Sequence, residues 1–184
     1  MTFFEKVVGF RGSLQFEEVS IMGDTISNGS TIVVDYSATV KDLISRGDYG
    51  EIHPVIYSVI NAFKVSNKDG KFELPINIVH SEKVLSTQVL TSKLKNKRLR
   101  NASTEEILTL GFSYPNLQHK FKIVGLNSIC TVGDDKYVLC LNGNKSVRKL
   151  TLLPLEGEWS SNYRFLVFDL DYEIKKISES IIRK

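Results

Sequence analysis

The segment from Phe121 to Leu170 constrains the fold most. Four apolar-rich runs, FKIVGLNSICTV, KYVLCLN, VRKLTLLPL and YRFLVFDL, are set apart by Gly133-Asp134-Asp135, Asn142-Gly143-Asn144 and Glu156-Gly157-Glu158. Runs rich in β-branched and aromatic residues, punctuated by Gly, Asn and Asp, read as strands joined by tight turns. The order strand, turn, strand, turn, strand, connection, strand predicts an antiparallel meander. Helical patterns elsewhere make the expected class α+β, with the meander in the C-terminal half.

The remaining segments read as follows. LQFEEVSIM and STIVVDYS flank a Gly/Asn/Ser-rich turn over 24–30 and suggest a hairpin. Ser37 is placed to cap a helix, ATVKDLISR, closed by Gly47, with Val40, Leu43 and Ile44 on one face. HPVIYSVINAFKV fits a strand pair or a buried helix. Asn67-Lys68-Asp69-Gly70 is a turn, because Asp-Gly supplies the positive φ that tight hairpins need. FELPINIVH reads as a strand that Pro75 makes irregular or edge-placed. Ser81 or Ser86 opens a helix whose apolar side is Val89, Leu90 and Leu94. Ser103 and Glu106 form a capping box for TEEILTLG, expected to end at Gly111. The tail DYEIKKISESIIRK reads as a helix capped by Asp171, with Ile174, Ile177, Ile181 and Ile182 as a narrow apolar stripe that must lie against this domain or a partner. The whole is read as one domain: a β-rich part over 1–80, helices and meander over 81–170, and a terminal helix over 171–184.

Composition enters where it excludes something. At 184 residues the chain can bury a core without metals or disulfides. No apolar run is long enough to span a membrane, and MTFFEKVVGFRG, with Glu5, lacks the continuous apolar stretch of a signal peptide. The expected location is the cytoplasm, or a particle assembled there. Two cysteines, Cys130 and Cys140, fit free buried thiols better than a disulfide. His53, His80 and His119 stand at no metal-ligand spacing, and no Gly-rich phosphate loop or nucleophile elbow occurs. The expectation is therefore no catalytic residues, no metal and no cofactor.

Three pieces, VDYSATVKDLISRGDY (34–49), RNASTEEILTLGFSYPNLQHKFKIVGLNS (100–128) and W…YRFLVF (159–168), resemble a family of small bacterial proteins with no assigned activity. The second half also resembles a C-type-lectin-like domain, in which a short capped helix precedes a β-meander. That resemblance implies binding through surface loops. Calcium-dependent sugar binding is not implied, since the secreted lectins' disulfide cysteines and a Glu-Pro-Asn triplet are missing here.

Two interaction surfaces are expected. The first is a partner face made by the meander turns and terminal helix: Trp159, Tyr163, Asn142, Asn144, Arg148, Ile177 and Ile181. Trp159 within small polar residues has the composition of a binding surface, although a lone Trp also serves to cap a core. This face predicts a non-enzymatic module that binds other protein chains, as an oligomer or a structural component of a viral or phage particle. The alternative is nucleic-acid or other polyanion binding by the run Lys93, Lys95, Lys97, Arg98 and Arg100, which alone exceeds the net charge of +3. No aromatic residue interleaves with that run, so base stacking is not indicated. An enzyme site scattered along the chain is the outside reading.

Overall fold

The computed structural model describes residues 30–182. Eleven strands and six α-helices are formed among them. The meander segments become β7 (Lys122–Val132), β8 (Asp135–Gly143) and β9 (Arg148–Pro154), which pair antiparallel in sequence order. The fourth segment, β11 (Tyr163–Asp169), does not extend the meander. It crosses back and pairs parallel with β7, Tyr163 opposite Lys122. The physical reason lies at the far edge: β9 is already flanked by β2 (Glu51–Ile52), running parallel to it. The connection carries β10 (Glu158–Trp159), which turns away to pair with β5 (Leu85–Ser86).

Beyond β11 the central sheet ends in β4 (Asn77–Val79). One more strand, β6 (Leu99–Asn101), pairs with the second half of β11. Val167 is opposite Asn77 on one side and Asn101 on the other, so β6 lies on the β7 side of β11. It can do so because β7 leaves β11 after Val124. The β7–β8 register shifts between Val124 and Ile129. Ser128 fixes this bulge, donating to the Gly125 carbonyl and accepting the Leu139 N–H at 2.8 Å. The odd number of extra residues also inverts the pleat, so Ile123 and Cys130 face the same side.

Each face of the sheet has its own core. On one side Ile123, Cys130, Leu139, Leu141, Leu166 and Phe168 meet the helices α1 (Val40–Arg46) and α4 (Thr104–Ser113) and the two-stranded sheet of β1 (Thr31–Asp35) with β3 (Lys71–Pro75). On the other, Val124, Val138, Cys140, Phe165 and Val167 meet Leu90 and Leu94 of α3 (Thr87–Asn96) and Trp159. Alternation along β8 and β11 assigns successive residues to opposite cores, as a doubly covered strand requires. Cys130 and Cys140 therefore lie in different cores, and both are free thiols.

Several local expectations are corrected. Thr39, not Ser37, caps α1, accepting the Asp42 N–H at 3.1 Å; the Ser37 hydroxyl instead donates to Asp69 at 2.6 Å and accepts the Gly70 N–H. The ambiguous stretch after His53 is α2 (Pro54–Ser58), started by proline at its first turn, and a 3-10 turn at Ile60–Ala62. FELPINIVH is split at Ile76, which donates to the Ser30 carbonyl, so β3 goes to β1 and β4 to the central sheet. β1 thus pairs with β3; LQFEEVSIM and most of the turn at 24–30 lie outside the described residues. Ser86 caps α3, and Val89 is 43 % exposed, off its apolar side. α4 runs through Gly111 to Ser113; Leu110 and Gly111 are buried, and the Tyr114 N–H donates to the Leu110 carbonyl at the helix end. A β-carbon on Gly111 would stand 2.2 Å from the Tyr49 hydroxyl, so only glycine admits that contact. Asp169 rather than Asp171 caps the terminal helix α6 (Leu170–Ile182), accepting the Asp171 and Tyr172 N–H groups.

Candidate functional site

Where β7 and β11 part, α4 begins, and its first turn carries two carboxylates into the interior. Glu105 and Glu106 are each 1 % exposed. Glu106 completes the expected capping box, accepting the Ser103 N–H at 2.7 Å. Its neighbour Glu105 accepts the Ser66 N–H at 2.6 Å and the Ser103 hydroxyl at 2.7 Å, which ties the 64–70 loop to the helix start. Two carboxylates at a helix N-terminus also sit favourably in its dipole.

Arg100, on β6, holds the second half of this arrangement. Its Nη1 and Nη2 donate to the two oxygens of Glu106 at 2.8 and 2.7 Å. Its Nε and Nη2 donate to Glu173 of α6 at 2.6 and 2.5 Å. One planar guanidinium thus makes two forked pairs, a geometry lysine cannot reproduce. The cation also stands 4.6 Å from the centroid of the Phe168 ring. Tyr36 donates its hydroxyl to Glu106, and Lys68 bonds Glu173 at 3.0 Å while lying over the Tyr36 ring. Burial, reinforced by the charge of Glu106, pushes the Tyr36 phenol well above its ordinary range, so it stays a donor. Burial opposes the charged form of Glu173, but the hydrogen bonds and charge of Arg100, with Lys68, outweigh it and hold this carboxyl below its ordinary value.

Two cavities flank Arg100. One, of about 300 Å³, opens between the 64–68 loop and the start of α4; the other, of about 440 Å³, lies between α3, β6 and the β7 bulge. Asn127, at the bulge, borders both, and its Oδ1 accepts from Lys64 at 3.3 Å. Bulges gather at sites because they aim a side chain away from the ladder.

The residues expected from sequence are distributed otherwise. Trp159 is 4 % exposed; its ring lies edge-on to Tyr163 and Phe165 and its N–H donates to Thr87 at 2.8 Å. The core-capping role describes its surroundings. Tyr163 is half-buried beside it. Asn142 donates to Thr151 at 2.8 Å, and Asn144 is exposed in the β8–β9 turn, which it shapes by accepting the Ser146 and Val147 N–H groups. Arg148 is turned inward. It donates to the Gly47 carbonyl at the end of α1 and the Gly111 carbonyl of α4, at 2.7 and 2.6 Å, and stacks on Tyr49. The Ile177 and Ile181 side chains fall outside the described part of α6. In the basic run, Arg98 is paired with Asp171 at 2.6 Å and Arg100 with its two glutamates, while Lys93 and Lys95 sit in the last turn of α3.

Sequence reasoning placed Glu106 as a cap and Arg100 in a cationic run, but not as partners. Glu105 and Tyr36 were not singled out. The one local signal is an acidic pair, Glu105-Glu106, directly ahead of the apolar residues Ile107 and Leu108. Among the described residues no group of three or more His, Cys, Asp or Glu is placed to hold a metal ion, and no described helix is long and apolar enough to cross a membrane. No family model, curated protein or solved structure matches the chain.

Proposed function

We propose that this protein is a non-enzymatic interaction module that docks on other protein chains through its terminal helix, within an oligomer or larger assembly such as a viral or phage particle. The observation that carries this reading is the way α6 is fastened. Asp171 and Glu173, both in its first turn, are bound to Arg98, Arg100 and Lys68 of the domain. Ile174, which begins the isoleucine stripe, is 52 % exposed. A helix clamped at its root and apolar beyond it presents a directed surface rather than a loose tail. The polyanion reading has less support, since two of its five cations, Arg98 and Arg100, are already neutralised within the fold.

Light scattering coupled to size exclusion, with affinity capture from the source lysate, tests the reading. The wild-type chain is expected to self-associate or retain a protein partner, and Ile174→Asp to abolish that without lowering the melting temperature. A monomer at every concentration that also retains nothing overturns it.

A further inference from the structure

The larger cavity is a groove whose walls come from four places in the chain, and nothing in the clamp on α6 accounts for it. Thr87, Thr91 and Lys95, successive residues along one face of α3, form one side. Leu99, Ile129, Leu155 and Leu170 line it while only half-buried, with Leu126 buried beneath. Half-exposed aliphatic side chains around a concavity of about 440 Å³ mark a place where an apolar group gains by entering.

Two polar features give the groove direction. Asn101 lines it, and the Asn101 Oδ1 is buried with no hydrogen-bond partner among the described residues. Buried acceptors in native folds are almost always satisfied, so this one calls for a donor from outside. Lys95 also lines the groove, is exposed, and makes no ion pair among the described residues. Arg100 touches the groove too, but its charge is taken up by Glu106 and Glu173. The groove therefore offers one uncommitted cation and an aliphatic wall, with an unpartnered acceptor buried in its lining.

We propose that this groove takes the C-terminal residue of a partner polypeptide, an aliphatic one. Its carboxylate pairs with Lys95, its side chain lies on Leu99, Ile129 and Leu155, and its amide N–H donates to the Asn101 Oδ1. A single cation matches one carboxylate and is too little for a polyphosphate. The half-exposed lining leaves the groove open, so the rest of a chain can leave it, whereas a free metabolite is better held in an enclosed pocket. This deepens the interaction reading and rests on it, by naming what part of a partner is recognised. It uses a different surface from the isoleucine stripe, so the Ile174→Asp result and the one below fail independently.

The test is fluorescence polarisation on the full chain with a labelled Ser-Gly-Leu peptide bearing a free carboxylate, the same peptide as its C-terminal amide, and N-acetyl-leucine as competitor. The free acid is expected to bind, with the amide, and separately Lys95→Gln, each weakening binding about tenfold or more, the effect of losing a charge-assisted hydrogen bond. Thr91→Phe, an exposed change that fills the groove, is expected to abolish binding with unchanged circular dichroism. Equal affinity for acid and amide overturns the proposal, as does no binding at about millimolar peptide. N-acetyl-leucine carries the same carboxylate, side chain and amide N–H and is expected to displace the peptide; failure to do so at about millimolar concentration overturns the proposal.

Discussion

Arg100 stands between the carboxylates of Glu106 and Glu173 and makes a forked pair with each. Removing a partner from such a group leaves an uncompensated charge, which costs more than the pair contributed. Glu173 shows the linkage to pH. Its folded carboxyl is held below the ordinary value of 4.5, so the unfolded chain binds the proton first as pH falls. Its stabilising contribution is therefore complete above that value and is lost as pH drops through the depressed folded one. Glu173→Gln is expected to cost about 2 kcal/mol near neutral pH and to flatten the acid limb of the stability curve. Urea unfolding of both chains at a series of pH values measures this; parallel curves would mean that Glu173 titrates as an ordinary exposed carboxylate.

At the scale of elements, two devices position the site. The β7 bulge opens the gap that β6 enters, bringing Arg100 within reach of α4. Arg148 then joins the C-terminal ends of α1 and α4, satisfying carbonyls that each helix leaves unpaired. Arg148→Met removes the guanidinium that lies over Tyr49 and strands both carbonyls. The expected loss is about 2–4 kcal/mol, since charge-assisted hydrogen bonds contribute more than neutral ones. Chemical denaturation measures it; a loss within error would show that water replaces the guanidinium. The element pattern itself was largely legible. β7, β8, β9 and β11, the α1 stripe and the Ser103–Glu106 capping box were readable because pleat, helical period and capping act between residues close in sequence. The turn at Gly70 was readable for the same reason, its φ of 85° being natural to glycine. The direction of β11 was not, because a strand's period is the same whichever neighbour it joins.

The whole molecule is a sheet with a separate core on each face, and its two thiols report on both. Cys130 and Cys140 are fully buried, and burial pushes the Cys140 thiol up to about 12. Neither is expected to react with a disulfide reagent in the native state, and both should react together in denaturant, since each core closes on the same strands. Reaction of one thiol well before the other would show that the two cores open separately. An oxidant should not join them intramolecularly, because β8 presents Cys140 to one core while β7 presents Cys130 to the other.

By itself the sequence determined the class, the segments that become β7, β8, β9 and β11, the apolar face of α1 and the capping box that starts α4, all consequences of spacing along the chain. The tertiary structure alone decided that β11 runs beside β7, that Trp159 and Arg148 face inward, and that Arg100 leaves the basic run to bind Glu106 and Glu173. The reason is distance along the chain. Arg100 and Glu173 are 73 residues apart, and no local rule links them until the bulge in β7 makes room for β6.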